Sequence, residues 1–370
     1  MRRMFSMVLL FAILSCPAAR SSEALTVAAK GAVLIDGASG RVLFGQNENE
    51  MLPEASCTKI MTALLALEHS ALDEEVTAGK NAHGVTGTSI YLSEGETLTM
   101  EQMLYGLMLR SGNDAAVAIA EHIAGSVPAF AELANARAAE LNADAHFVNP
   151  HGLDAEGHAA SALGLARIMR EAMKNADFRT ITSTEKKIIP WVGNEYSRVL
   201  ENKNRLLSTY EGATGGKTGY TSKAGRCLVF SAERDGLELI GTVLNCYTWF
   251  DTAAVMLDYG FDHFRMERAL EGGQVATQVT VLDGDRASVD AIASEPLAGA
   301  VEIGAKVSVE VDSKTLTAPV RAGQTIGTAR LVSNGKTIAS CPLSAATAVD
   351  AWSLSAAIRN VLRSWALQFS

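Results

Sequence analysis

Two periods of apolar and polar positions run along this chain, and the places where one gives way to the other mark its parts. In "GAVLIDGASGRVLFGQN" the apolar runs Val33 to Ile35 and Val42 to Phe44 flank a Gly-rich turn and predict a hairpin. In "PEASCTKIMTALLALEHS", Ile60, Met61, Leu64, Leu65 and Leu67 recur at helical spacing, which predicts a helix beginning near Ala55 or Ser56. From Glu68 to Arg179 the pattern is mainly helical, as in "TMEQMLYGLMLR" and "DAAVAIAEHIAG", with loops at "RSGN" and "NPHGLDAEGH". The runs "CLVFSA" and "LELIGTVL", joined by "ERDG", predict a second hairpin, so strands at both ends enclose a helical middle.

Beyond about Met266 the texture changes. Short alternating runs such as "KVSVEV" and "ARLVSNGKTIAS", the latter around an Asn334-Gly335 turn, predict a small all-β domain, a sandwich serving as a spacer or binding module. The final stretch, "DAWSLSAAIRNVLRSWALQFS", places Leu354, Ile358, Val361, Leu362, Trp365 and Phe369 on one face of a helix, opposite Ser355, Arg359, Asn360, Arg363 and Gln368. It is too polar to span a bilayer and suits a helix lying in a membrane surface; a helix docked on the protein itself is the alternative. At the other end, Arg2 and Arg3 precede an apolar run from Met7 to Leu14 and then small residues, the layout of an export signal cleaved after Ala24.

Composition narrows the function. The chain has 370 residues, 48% of them hydrophobic, enough for about two domains. Its net charge of -9, with no long basic block, argues against nucleic acid as a partner. Without the leader, Cys57, Cys227, Cys246 and Cys341 remain, with no CxxC spacing; free, mostly buried thiols are expected.

One local conflict carries chemistry. Ser56 stands where a helix N-cap belongs, and the position three residues on, where Glu or Gln would reach back, is Lys59. A cation there opposes the helix dipole, so helix architecture does not explain it. A serine hydroxyl, however, is a weak nucleophile that needs a base, and an i, i+3 pair brings Lys59 beside Ser56. If burial and a second cation, Lys217, make the amine of Lys59 neutral, it can take the serine proton. Two further motifs follow in order, Ser111-Gly112-Asn113 and Lys217-Thr218-Gly219. Ser111 is expected to relay a proton to the departing amine, Asn113 to hold the substrate backbone, Lys217 to supply positive potential, and Thr218 to donate to the substrate's terminal carboxylate. Gly219, lacking a side chain, would let a peptide lie along the strand edge. "GATGGKTG" fails as a phosphate loop, since Glu211 occupies the position of the first glycine. His146, His151 and His158 match no metal-binding helical pair and are expected to order a loop; neither a metal nor a cofactor is expected.

The ordered set S-x-x-K, S-x-N and K-T-G marks penicillin-binding proteins and class A β-lactamases. With "LPEASCTKIMTALLALE", "LMLRSGNDAAVAIAEHI", "HFVNPHGLD" and "NKNRLLSTYEGATGGKTGYT", the chain resembles the exported D-alanyl-D-alanine carboxypeptidases, the low-mass penicillin-binding proteins of the serine S11 type. That resemblance implies an α/β (α+β) β-lactamase/transpeptidase-like domain with a five-stranded antiparallel sheet and a helical cluster, followed by the β-rich domain and the amphipathic helix. It implies removal of the terminal D-alanine from peptidoglycan stem pentapeptides through an acyl-enzyme on Ser56, covalent binding of β-lactams, and an oxyanion hole from the backbone amides of Ser56 and Tyr220. The parts are then a signal peptide at 1–24, a catalytic domain at 25–267, a β-rich domain at 268–345 and a membrane-associating helix at 346–370, placing the protein at the outer face of the cytoplasmic membrane. Two departures stand out: Gly164 in "SALGLA", where family members often carry Asp, and the absence of arginine from "NCYTWFDT", which leaves the carboxylate to Thr218 or Thr221. A β-lactamase would need a water-activating Glu in an ExxLN-type segment, which is missing between Asn113 and Lys217; a catalytically silent wall-binding module would not need the intact motifs.

Overall fold

The computed structural model describes residues 25–353. The expected leader at 1–24 lies outside the described residues, as do residues 354–370 of the expected terminal helix, but residues 346–353 are not helical: Val349 is buried in the β-rich core and pairs with Val320, and Ala351 pairs with Gly284, so these residues belong to the β-rich part. Strands β1 (Gly31–Asp36) and β2 (Val42–Gln46) form the first predicted hairpin. The first helix, α1 (Lys59–His69), is preceded by a 3₁₀ turn at Ala55–Thr58. The helical middle holds α2 (Met100–Leu109), α3 (Asn113–Ala124), α4 (Val127–Glu140), α5 (Ala162–Ala172) and α6 (Ala176–Ser183). Three short ribbons interrupt it, none of them evident in the hydrophobic pattern: β3 (Glu75–Thr77) with β4 (Thr97–Thr99), β5 (Ala145–His146) with β6 (Ala159–Ala160), and β7 (Lys186–Ile189) with β8 (Arg198–Glu201). Their strands are too short, or too polar on one side, to announce a period of two.

After the one-turn helix α7 (Leu206–Thr209) come β9 (Ala213–Thr221), β10 (Gly225–Arg234) and β11 (Leu237–Leu244). They complete a five-stranded antiparallel sheet in the order β2-β1-β11-β10-β9. The inner strands read as continuous apolar runs because both faces of the sheet are covered. Val33 and Ile35 point into a core with α1, α2, α3 and α5, while Ala32 and Leu34 point into a second core with α8 (Trp249–His263). Cys57, Cys227, Cys246 and Cys341 are free and buried, as expected.

The β-rich part is also as expected in kind. β12 (Phe264–Leu270) pairs with β15 (Leu297–Glu302). These pack on a six-stranded sheet built from β13 (Val275–Leu282), β14 (Ser288–Ala293), β16 (Val307–Ser313), β17 (Leu316–Thr317), β18 (Thr325–Ser333) and β19 (Lys336–Ala345). The Asn334-Gly335 turn joins β18 to β19, with both residues at positive φ. β12 runs across the boundary expected at 267–268, because its pairing with β15 ties its whole length to the β-rich side. The seam between the two parts is hydrogen-bonded: the buried carboxylate of Asp36 accepts the Ala300 amide at 2.9 Å, and Arg41 donates to the Ala300 carbonyl at 2.6 Å.

Gly164 has a packing reason. It lies in the first turn of α5, where a Cβ would come within 2.6 Å of the Asp144 carbonyl, so no side chain fits.

Candidate active site

Ser56 sits in the 3₁₀ turn that feeds α1. In a 3₁₀ turn side chains at i and i+3 eclipse, and this brings Lys59 Nζ to 2.9 Å from Ser56 Oγ. The turn is entered through Ala55, which adopts φ 51, a left-handed conformation that a residue with a Cβ takes only when its surroundings hold it there. The loop carrying the three histidines provides that hold. His158 Nδ1 accepts the Val148 amide at 2.9 Å, so its Nε2 carries the proton and meets Glu54 Oε1 at 2.9 Å and Thr58 Oγ1 at the same distance. His146 Nδ1 contacts the Gly157 carbonyl, and His151 Nδ1 accepts the Leu153 amide. The histidines order the loop, as the sequence suggested. Gly152, at φ 86, lies so close to the turn that a Cβ would be 1.8 Å from the Ala55 carbonyl oxygen.

Lys59 is fully buried and has two further partners, Asn113 Oδ1 at 2.7 Å and the His151 carbonyl at 2.7 Å. Burial, then the positive charges of Lys217 and Lys203, hold its amine well below the usual lysine range. Lys217, also buried, is brought down to about 7 by burial, with Lys203 acting in the same direction. His151 falls to about 3, mainly through burial and then through Lys59, and is neutral at physiological pH.

Alternation along β9 separates two sets of side chains. Lys217 and Gly219 face the 3₁₀ turn. A Cβ on Gly219 would lie 2.9 Å from the Ser56 amide nitrogen, so the glycine is required by the close approach of strand and turn, a different reason from the free passage for a peptide expected from sequence. β9 is the last strand of the sheet, and part of its edge is already closed: Thr182 Oγ1 accepts the Gly216 amide at 3.0 Å, and Asn204 donates to the Gly215 carbonyl at 3.1 Å. Beyond this closed part opens a cleft of about 360 Å³, bordered by Ser56, Ser111, Asn113, Thr218, Gly219 and Tyr220, with Lys203, Leu153 and Trp249 completing its wall. Lys59 and Lys217 lie buried behind it. The motif residues therefore converge.

The details refine two assignments. Asn113, expected only as a contact for substrate backbone, first holds Lys59, and its Nδ2 donates to the Thr86 carbonyl at 2.6 Å. Thr221 borders the cleft with Thr218, but its hydroxyl is engaged within the protein, donating to Asp154 at 3.0 Å and accepting the Ala224 amide. Sequence reasoning missed Lys203 and the His151 carbonyl. The available signal for Lys203 was its pair of flanking asparagines: Asn202 accepts the Asn204 amide and Asn204 accepts the Leu206 amide, which fixes the turn that presents the lysine. A backbone carbonyl leaves no signal in side-chain identity.

The chain matches known proteins over most of its length. Residues 18–248 match the family model described as D-alanyl-D-alanine carboxypeptidase, and residues 264–351 match that of the penicillin-binding protein 5 C-terminal domain. The chain is 36% identical to the D-alanyl-D-alanine carboxypeptidase DacF of Bacillus subtilis, over 88% of this chain and 87% of that protein. It is 32% identical to DacC of Escherichia coli, over 90% and 87%. Among solved structures, penicillin binding protein 5 of Haemophilus influenzae superposes with a TM-score of 0.78 at 30% identity, covering 88% of this chain and 98% of that one.

Proposed function

The chain belongs to the D-alanyl-D-alanine carboxypeptidase family, and from that premise we propose that Ser56 is its nucleophile and Lys59 its general base. The protein is a serine-type D-Ala-D-Ala carboxypeptidase, a hydrolase of the penicillin-binding class that acts on peptidoglycan and binds β-lactams. The observation that carries the residue roles is the set of three contacts at Lys59. A neutral amine has two N–H bonds and one lone pair. Asn113 Oδ1 and the His151 carbonyl, each 2.7 Å away, can only accept; they take both N–H bonds and leave the lone pair directed at the Ser56 hydroxyl 2.9 Å away.

In the reaction Lys59 takes the Ser56 proton, and Oγ attacks the carbonyl carbon of the penultimate D-alanine. The backbone amides of Ser56 and Tyr220 receive the developing oxyanion. The C–N bond breaks as Ser111 relays to the departing amine the proton that Lys59 took, which leaves both side chains as they began, and D-alanine departs; water then attacks the ester, giving one proton back to Ser56 Oγ and its hydroxyl to the tetrapeptide carboxyl. Asn113 steadies the substrate backbone as well as Lys59. Lys217 contributes positive potential, Thr218 donates to the terminal carboxylate, and Gly219 permits the close approach of strand and nucleophile. The leader at 1–24 exports the chain, and the segment from Leu354 onward rests on the outer face of the cytoplasmic membrane, where stem peptides are found. Incubation with a pentapeptide ending in D-Ala-D-Ala, followed by mass spectrometry, should give the tetrapeptide. The Ser56→Ala protein should give none and should lose covalent labelling by a fluorescent penicillin; labelling that persists would move the nucleophile to another residue.

A further inference from the structure

Beside the cleft, on the β7–β8 ribbon and in the loop between β3 and β4, three aromatic side chains stand together, two of them exposed and the third, Trp191, half-buried between them. Tyr91 is 69% exposed and Tyr196 is 65% exposed. Trp191 lies between them, stacked on Tyr91 with centroids 6.4 Å apart and planes at 19°, and meeting Tyr196 edge-on at 5.5 Å and 90°. Exposed rings that join through a third into one apolar surface are suited to binding.

The cluster has a built foundation. The guanidinium of Arg198 lies 4.9 Å from the centre of the Trp191 ring and is buried. Its donors are consumed below the rings: Nε by the Ile90 carbonyl at 2.6 Å, Nη1 by Glu96 at 2.6 Å and the Pro190 carbonyl at 2.9 Å, Nη2 by Glu96 at 2.8 Å and the Tyr91 carbonyl at 2.9 Å. Tyr91 adopts φ 62, a left-handed conformation that strains a residue with a Cβ. The Asp114 carboxylate offsets that strain by accepting the amides of Ile90 and Leu92 on either side. Asp114 is the neighbour of Asn113, and Gly87 and Thr88 of the same loop border the cleft, so the rings and the active site share one support.

We propose that Tyr91, Trp191 and Tyr196 form a carbohydrate-binding platform that takes the glycan strand to which the stem peptide is attached. A pyranose ring presents a face of C–H bonds that complements the electron-rich face of an aromatic ring, while its hydroxyl groups stay in water at the edge. An anionic occupant such as a phosphate or nucleic acid would need a free cation, and the donors of Arg198 are spent beneath the rings. The glycan is already present wherever the peptide enters the cleft, so its capture adds affinity through raised effective concentration. This inference rests on the carboxypeptidase reading above.

The test compares Trp191→Ala and Tyr196→Ala with the unaltered protein on two substrates, a soluble pentapeptide and the same pentapeptide carried on uncrosslinked glycan strands. The expected result is a fall of about tenfold in kcat/KM on the glycan-linked substrate, carried by KM, with kcat/KM on the soluble peptide within about twofold. Retained penicillin labelling checks the fold of both variants. Equal losses on both substrates, or no loss on either, would overturn the platform, the latter leaving the rings to a protein partner. A second arm needs no turnover: the Ser56→Ala protein should co-sediment with peptide-stripped sacculi, and the Ser56→Ala, Trp191→Ala protein should not; equal sedimentation also overturns the proposal. Failure of the unaltered protein to release D-alanine from either substrate would instead count against the carboxypeptidase reading, with the sedimentation arm still deciding the platform.

Discussion

Lys59 is shaped by neighbours of two kinds, cations that act at a distance and oxygens in contact. Burial and the charges of Lys217 and Lys203 lower the affinity of its amine for a proton, while two carbonyl oxygens fix its direction. Because the base is the neutral form, the limb of the acylation rate that rises with pH should have its midpoint well below 10.5, the value of an unperturbed lysine; stopped-flow acylation by a chromogenic penicillin across pH gives the profile. A midpoint near 10.5 would remove the depressed amine from the mechanism. Lys59→Ala should slow acylation on the order of a hundredfold or more. At this scale much was legible: a lysine where a capping residue belongs is a local contradiction, and contradictions of local rules gather at functional sites. The partners of Lys59 were not, because Asn113 and His151 are brought to it from other elements and one of them contributes only its backbone.

Among elements, the loop between β5 and β6 is the decisive one, for it packs on the nucleophile turn and supplies the His151 carbonyl to Lys59. Gly152 is its tightest point. Gly152→Ala would force a Cβ against the Ala55 carbonyl and place alanine at φ 86, so a loss of about 3 kcal/mol or more is expected, read as a lower midpoint in thermal unfolding together with weakened penicillin labelling. An unchanged midpoint would mean that the loop moves away at little cost. The hairpins and long helices could be read from sequence because each buries a regular stripe or face. The ribbons β3–β4, β5–β6 and β7–β8 could not, since their strands are only two to four residues long, and β8 leans on another segment, its own Arg198 reaching Glu96 and the Ile90 and Tyr91 carbonyls.

In the whole molecule the β-rich part is joined to the sheet of the catalytic part through Asp36, Arg41 and Ala300, so a segment that follows it can be removed without entering the cleft. Deleting residues from Leu354 onward, which leaves intact the pairing of Asp350 to Trp352 with Asp283 to Asp285, should release the mature enzyme from anionic lipid vesicles yet spare hydrolysis of a soluble tripeptide analogue. Co-sedimentation with vesicles measures the first; binding should also weaken with salt if Arg359 and Arg363 meet headgroups. If full-length and truncated proteins both stay in the supernatant, the terminal segment packs on protein.

The edge of β9 also acts as a ruler. Thr182 and Asn204 plug it at Gly215 and Gly216, and the cleft opens only along Thr218 to Thr221, about 13 Å of strand at roughly 3.3 Å per residue. A peptide that adds there has room to align only its last few residues, and everything before them lies beyond the reach of the strand. The enzyme is therefore indifferent to chain length once the gap is filled: kcat/KM for soluble peptides ending in D-Ala-D-Ala should climb from two residues to three or four and then stay level, and a continued climb would show that the peptide is gripped farther out.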